Sequence, residues 1–351
     1  MKILGLESSC DETSAAVVED GCRLLSVVTS SSMDLHAAYG GIVPEIAARS
    51  HLEVVLPVID QALLDAGCAW DDIDGIAVTY GAGLGGSLLI GVMTARTIAI
   101  IKNKPLFKAN HVIGHVFANF ISESKVPGYG GMPSPTFPML ALIVSGGHSQ
   151  LALFNDHLNY RLLGRTQDDA IGEAFDKVAK MLGVGYPGGP AIANAAQKGD
   201  SYAYDFPIAN MPGYDFSFSG LKTAVLRRSQ AEIGESYDFP SIKLPERLNE
   251  AQKANIAASF QRVAVKTVVD KTVKAYREFG PASVVIAGGV AASQELRKQL
   301  NDNLQTTLTY PDIKLCTDNG AMIATLGCYL FEADKDQADP YRLQIEPNLT
   351  M

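Results

Sequence analysis

No two cysteines in this 351-residue chain are spaced as CxxC. The five present, at 10, 22, 68, 316 and 328, form neither an even disulfide framework nor a zinc ribbon. Reduced thiols and a cytoplasmic location are therefore expected. Basic residues are also short, 29 Lys and Arg against 38 Asp and Glu, and the net charge of −9 excludes a general nucleic-acid binder with a phosphate-neutralising surface. Any contact with RNA must be local. The available clusters are Lys102, Lys104 and Lys108, then Arg227 with Arg228, then Lys266, Lys271, Lys274 and Arg277, each of which reads first as an ordinary solvated face. Long apolar runs are missing too. The least polar stretch, Leu84 to Ile101, is interrupted by Arg96 and by small residues, and it reads as a buried helix rather than a membrane span. Near the N-terminus only Ile3 to Leu6 separate Lys2 from Glu7, too little for a signal peptide. What remains, 47% hydrophobic and 19% charged, suits a folded protein with room for two domain-sized cores.

Against these absences stands Asn110-His111-Val112-Ile113-Gly114-His115. Two imidazoles four apart on a helix point the same way and can grip one metal ion, whereas by chance they would be two surface histidines. Two ligands do not hold a divalent ion, and the best distant donor is Asp318 in Cys316-Thr317-Asp318-Asn319-Gly320.

Taken in order, the chain opens with a strand over Lys2 to Leu6, a polar turn over Glu7 to Ser14, and strands Ala15 to Val18 and Leu24 to Ser30. A helix is predicted from Pro44 to Ala66, with Ile46, Leu52, Val55, Ile59 and Leu63 on one side and a kink at Pro57, and a strand from Ile73 to Thr79. The turn Gly81-Ala82-Gly83-Leu84-Gly85-Gly86-Ser87 matches neither GxxxxGK[ST] nor GxGxxG, so it favours close packing of the helix Leu88 to Ile101 over phosphate binding. That helix and the one around Ile46 to Leu63 form a candidate partner surface, to be probed at Arg49 and Gly91. Pro105 to Lys108 is a short strand, Asn110 an N-cap, and the histidine helix is expected to run to Ile121.

A Gly, Pro and Ser-rich linker over 122–138 separates a first lobe (1–121) from a second (139–317); a helix over 318–333 completes the first lobe, and 334–351 is a tail. Beyond the linker the opening pattern repeats: strand Leu140 to Val144, turn Ser145 to Ser149, then strands Gln150 to Phe154 and Tyr160 to Gly164. Twin α/β lobes would hold a ligand in the cleft between them. Asp168 to Lys177 reads as an acidic helix start, Gly185 to Pro190 as a turn open to a ligand, and Tyr214 to Thr223 as packed surface. Strand Ser283 to Ala287, the Gly288-Gly289 turn and a helix from Gln294 have a geometry that admits a nucleotide.

Gly5 to Thr13, Gly40 to Glu45, His111 to His115, Val144 to His148, Gly172 to Lys177, Tyr186 to Pro190, Phe216 to Thr223, Ala287 to Val290 and Cys316 to Gly320 together resemble the TsaD/Kae/Gcp family, in its order and spacing over nearly the whole chain. The resemblance implies a duplicated two-lobe α/β fold of the actin, Hsp70 and sugar-kinase (ASKHA) type with an interlobe cleft. It implies transfer of a threonylcarbamoyl group from threonylcarbamoyl-AMP to N6 of the adenosine 3′ of the anticodon in tRNAs reading ANN codons. The metal ligands would be His111, His115 and Asp318, for one Fe²⁺ or Zn²⁺ per chain. Contacts to the adenylate would come from Ile143, Val144, Ser145, Gly146, Gly147, Asp176, Gly189 and Ser293. Most relatives carry asparagine at this last place, and a serine is shorter and lacks the paired donor and acceptor of an amide. The implied partners, besides tRNA, are a smaller paralogous protein of the same fold (TsaB-like) and a P-loop ATPase (TsaE-like), with no membrane.

N6 of adenine is a weak nucleophile, so an activated acyl donor and tight positioning would carry the reaction. Asp11 or Glu12 is the candidate base for the N6 proton, a structural role being the alternative; Cys10 has no paired histidine and acid beside it. Three rival readings stand next to this one. A zinc peptidase of HExxH type needs a glutamate after the first histidine, and Val112 stands there. A sugar or acetate kinase would hold Mg²⁺ with hard oxygens, which two imidazoles do not suit. A non-catalytic scaffold would have no use for a metal triad.

Overall fold

Strand β1 (Lys2–Glu7) is buried from Ile3 onward, the pattern of a strand covered on both faces. In the computed structural model, which describes residues 1–37, 39 and 41–351, the chain then turns through Ser8 to Asp11 into β2 (Glu12–Glu19) and on to β3 (Arg23–Ser31). These three strands form an antiparallel meander. Gly40, expected within the family-like run 40–45, lies outside the described residues.

Helices α1 (Met33–Ala37) and α2 (Pro44–Ala66) follow, and α2 runs through Pro57 without a break. Its buried side is Ala47, His51, Val55, Val58, Ile59, Ala62 and Leu63. Leu52, expected on that side, is 67% exposed, because the true stripe includes the small and polar residues Ala47 and His51, which a hydrophobic count passes over. Strand β4 (Gly75–Gly81) lies parallel to β1, helix α3 (Gly85–Lys102) crosses back, and β5 (Leu106–Asn110) lies parallel to β4. Helix α4 (His111–Phe117) is shorter than expected, tightening to a 3₁₀ turn over Ala118–Phe120, and β6 (Glu123–Ser124) pairs with β3.

A second meander comprises β7 (Met139–Val144), β8 (Ser149–Phe154) and β9 (Tyr160–Arg165). Helices α5 (Ile171–Leu182), α6 (Gly188–Ala196), α7 (Ser219–Glu232), α8 (Leu244–Arg247) and α9 (Glu250–Phe279) lead to β10 (Ser283–Ala287), parallel to β7. Then come α10 (Gln294–Asn303), β11 (Leu308–Thr309), α11 (Gly320–Glu332) and β12 (Gln337–Ala338).

The chain forms two compact units. One comprises Met1–Thr136, Asp156–Asn159 and Thr309–Met351; the other comprises Phe137–Asn155 and Tyr160–Leu308. The first carries a seven-stranded sheet in the order β12-β5-β4-β1-β2-β3-β6, and the other five-stranded sheet runs β11-β10-β7-β8-β9. Each has a parallel pair beside an antiparallel meander, which is the expected duplication of the ASKHA fold. In the first unit α2 and α3 bury Val58, Ile59, Val92 and Ala95 with Leu4, Leu6, Ile76 and Val78 of the sheet. Helix α11 packs on β1, β2 and β4 so closely that Gly5 and Gly320 leave no room for a side chain.

Helix α3 is long and apolar enough to cross a membrane, by length and composition. It is not the fully buried helix expected: one side, with Leu88, Val92 and Ala95, faces the core, while Leu89, Met93, Ile100 and Ile101 are exposed. Residues 340–346 lie along it, with Arg96 donating to the carbonyls of Pro340, Tyr341 and Leu343 at 2.5, 2.8 and 3.2 Å.

Candidate metal centre and adjoining loops

Asn110 ends β5 and opens α4. Its Oδ1 accepts from the backbone N–H groups of Val112 and Ile113 at 2.9 and 3.3 Å, which fixes where the helix starts and so where its side chains point. His111 and His115 then project from the same face one turn apart, ring centroids 4.7 Å apart and planes at 77°. On the other side Asn319 caps α11 by accepting from the N–H of Met322 at 3.0 Å, and this holds Asp318 just before the helix. Asp318 Oδ1 lies 3.6 Å from His111 Nε2 and 3.2 Å from His115 Nε2.

This donor set suits a divalent ion. Ligand atoms about 2.1 Å from a shared tetrahedral centre stand roughly 3.4 Å apart, close to the spacings found. Both ring nitrogens of His115 are buried without a hydrogen-bond partner among the described residues, and such groups are costly unless something satisfies them. A cation on Nε2 would satisfy that nitrogen. Two imidazoles and one carboxylate fit Fe²⁺ or Zn²⁺ better than Mg²⁺.

Behind His111 sits Glu7, a residue the sequence reading missed. Its Oε2 lies 3.1 Å from His111 Nδ1 and accepts from Thr79 Oγ1 at 2.6 Å, while Oε1 accepts from the Ser9 N–H at 2.6 Å. The available signal was a carboxylate ending an otherwise apolar, buried strand, a residue type almost never fully buried without a partner. Burial disfavours the charged forms of both groups. For His111 the charges of Asp318 and Glu7 together outweigh it and push the imidazole up to about 9; for Glu7 the charge and hydrogen bond of His111 hold the carboxyl below its usual range.

The Ser8 to Asp11 turn is pinned from several elements. Cys10 O is 2.9 Å from His51 Nε2 and accepts from Ser87 Oγ at 3.2 Å; Ser9 O accepts from the Leu84 N–H at 2.7 Å, and Asp11 O accepts from both N and Oγ of Ser32 at 3.0 Å. The glycine-rich turn before α3 therefore packs against protein, as its sequence favoured. Gly91 belongs to this packing. A side chain there would meet Ser8 Oγ, so Gly91 is not the surface probe it was expected to be.

Asp11 and Glu12 are half-buried at the end of this turn. Burial, then the charges of Asp318 and Asp11, push Glu12 up to about 10, so without a cation nearby it carries a proton and cannot accept one. Burial first, then Asp318 and Asp11, also raise the Cys10 thiol far above its ordinary value, which disfavours a thiolate nucleophile.

In the second unit, Ile143 and Val144 are fully buried within the sheet, which leaves the loop after them, exposed at Gly146 and Gly147, as what a ligand can reach. Gly146, Gly147 and Gly189 all face open space. Around them the backbone closes up: Gly288, at φ 88°, abuts the Val144 carbonyl, and a side chain at Gly172 would lie 2.6 Å from Ser145 O. Asp176 Oδ1 accepts from the Gly188 N–H at 2.7 Å, joining α5 to α6. Ser293 is the N-cap of α10, its hydroxyl accepting from the Leu296 N–H at 3.3 Å.

Asp168 and Asp169 do not start α5 as expected. Asp168 accepts from the hydroxyls of Ser217 and Ser219 at 2.5 and 2.6 Å and from the N–H groups of Phe218 and Ser219 at 2.8 and 3.3 Å, so it serves the start of α7. Asp169 bridges Lys177 and Lys222, each at 2.8 Å. Phe216 and Phe218 are buried, as a packed segment requires. Several basic candidates are already paired, Arg228 with Glu232, Lys266 with Asp270 and Lys108 with Asp336.

Comparison with known proteins agrees with this picture. The sequence model of the TsaD family, tRNA N6-adenosine threonylcarbamoyltransferase, matches residues 23–325. A protein of that name from Thermomicrobium roseum is 49% identical over 338 residues, covering 94% of this chain and 92% of its own. Another from Dehalococcoides mccartyi is 47% identical over 352 residues, covering 100% and 99%. Among solved structures, T. kodakarensis HypF superposes with a TM-score of 0.59 at 15% identity, over 96% of this chain and 48% of that one, a likeness of fold alone.

Proposed function

The chain belongs to the tRNA N6-adenosine threonylcarbamoyltransferase family, and from that premise we propose that it acylates N6 of the adenosine 3′ of the anticodon in tRNAs reading ANN codons, at a centre built from His111, His115 and Asp318. The donor is threonylcarbamoyl-AMP. N6 attacks the carbamoyl carbon, the bond from that carbon to the phosphate oxygen breaks, AMP leaves with the electron pair, and the N6 proton passes to a base. A divalent cation held by the triad, Fe²⁺ or Zn²⁺, would withdraw electron density from the carbamoyl carbonyl.

The remaining work falls to the protein's own groups. Ser145, Gly146 and Gly147, with Asp176, Gly189 and Ser293, take the adenylate; open space over the three glycines supports that role. The hydrogen bonds that pin the Ser8 to Asp11 turn suit positioning, which is the main source of acceleration for a weak nucleophile. Asp11 or Glu12, half-buried at the end of that turn, takes the N6 proton.

A chain with a net charge of −9 needs help to hold tRNA. A smaller paralogous protein of the same fold (TsaB-like) and a P-loop ATPase (TsaE-like) supply it, docking on α2 and α3. Exposed Leu52, Leu56 and Leu64 of α2 and Leu89, Met93 and Ile101 of α3 support that surface. Five free cysteines fit a cytoplasmic site of action.

The observation that carries the metal-assisted reading is His115, with two buried, unbonded ring nitrogens beside the Asp318 carboxylate. Metal analysis of purified protein, alongside adenylate-dependent tRNA modification, tests it for wild type and His115→Ala. Loss of metal and transfer together supports the reading; lost metal with retained transfer reduces the ion to a structural part.

A further inference from the structure

We infer that Glu7 is a positioning residue of the metal centre, orienting His111 so that its Nε2 lone pair faces the ion; the inference rests on the triad being that centre. Glu7 is 1% exposed on a strand whose other inner residues are apolar. A carboxylate in such a place weakens the fold unless its charge is used, because desolvation costs more than a buried pair returns. Both of its oxygens are committed. Oε1 takes the Ser9 N–H at 2.6 Å, and Oε2 takes the Thr79 hydroxyl at 2.6 Å and faces His111 Nδ1 at 3.1 Å.

With the contacts of Glu7 fixed on Nδ1, the ring of His111 is turned so that Nε2 faces Asp318, 3.6 Å away, and Nε2 is the nitrogen a cation would take. Ser9 Oγ, 3.1 Å from the same Nδ1, is a weaker partner that can adapt to either tautomer. His115 has no such support, since its Nδ1 makes no hydrogen bond among the described residues. The two imidazoles are therefore unequal: the ring of His111 is oriented by a buried carboxylate, and Nδ1 of His115 has no such partner among the described residues.

Replacing Glu7 by Gln keeps the shape and an acceptor for Ser9, but places an amide N–H where the imidazole needs an acceptor, which favours hydrogen on Nε2 and blocks that nitrogen. Co²⁺ titration monitored by its visible d–d bands, with circular dichroism to confirm folding, separates the possibilities. In wild type one Co²⁺ binds per chain. In Glu7→Gln the affinity falls by about 10–100-fold and the bands shift, as expected when an orienting partner of a ligand is lost. A folded Glu7→Gln protein with wild-type affinity and spectrum overturns the inference while leaving the metal centre standing. No Co²⁺ binding by wild type, or undiminished binding by His115→Ala, overturns the centre itself and the inference with it. If Glu7→Gln does not fold, Thr79→Val decides: it frees one side of the carboxylate, so weakened Co²⁺ binding supports the inference and unchanged binding refutes it.

Discussion

The side-chain amide of Asn110 donates to the carbonyl of Thr350 at 3.1 Å, so the residue that starts the histidine helix is also held by the last residues of the chain. The tail reaches that point along α3 and β4, with the Glu346 N–H donating to Tyr80 O at 2.7 Å and the Gly83 N–H to Pro347 O at 3.1 Å. Asn110→Ala removes both the cap and the tie. It should cost about 1 kcal/mol of stability and weaken metal retention, because α4 carries two of the three proposed ligands. Deleting residues 340–351 should lower the melting temperature further by also freeing Arg96. Calorimetry and metal content of both variants test this, and a truncated protein with unchanged melting would show that the tail merely rests on the surface.

Gly91 and Leu89 lie on one helix and should respond oppositely. Leu89 is exposed, whereas Gly91 faces Ser8 Oγ. Gly91→Leu overpacks the turn and should destabilise the protein by about 1–3 kcal/mol. Leu89→Asp should leave melting almost unchanged and abolish capture of the paralogous partner protein. Equal loss of stability in the two would contradict the packing described for α3.

Metal should stabilise the fold. At a free concentration about a hundredfold above Kd, a bound ion adds about 2.7 kcal/mol to unfolding. Wild type stripped with a chelator should therefore melt lower and recover with Zn²⁺ or Fe²⁺, and His115→Ala should show no rise on adding either ion. Recovery in the variant would remove His115 from the ligand set.

Burial lowers the pKa of His51 below 6.5, against the pull of the Cys10 carbonyl and the charges of Glu7 and Asp11. The unfolded chain then binds a proton below pH 6.5 that the folded one refuses. Stability from this residue is complete above that pH and declines as acidity increases toward the lower folded value. His157, also lowered by burial, acts in the same direction. His51→Gln should flatten the melting temperature over the weakly acidic range, and an unaltered slope would count against a neutral His51 holding Thr13 and Cys10.

Ser293 has its hydroxyl engaged by α10. Ser293→Ala should cost about 1 kcal/mol through the lost cap, whereas Ser293→Asn keeps the cap and adds an amide. If this position touches the adenylate, the asparagine variant lowers KM for the donor with kcat unchanged; identical KM values would place Ser293 outside the donor site.

Much of this was legible in one dimension. The Asn110 cap, the facing of His111 and His115, the span of α2 and the repeated meander follow from turn chemistry and from the periods of helix and strand, which act over a few residues. Leu52 misled because apolar type says which residues can be buried, not which side is covered when Ala47 and His51 take the inner face. Asp168 misled for a related reason. Its position suggested the helix that follows it in the chain, but its partners are Ser217 to Ser219.

The sequence by itself determined the two-lobed α/β plan and the family, and it singled out His111, His115 and Asp318, which the fold brings together. Only the tertiary structure decided that Glu7, Ser9 and Thr79 stand behind His111, that Gly91 is inside and Leu89 outside, and that the tail holds Asn110. Those contacts arise from the order in which β5, β4, β1 and β2 lie side by side. Strand pairing joins residues distant in sequence, and no local pattern encodes which atoms then meet.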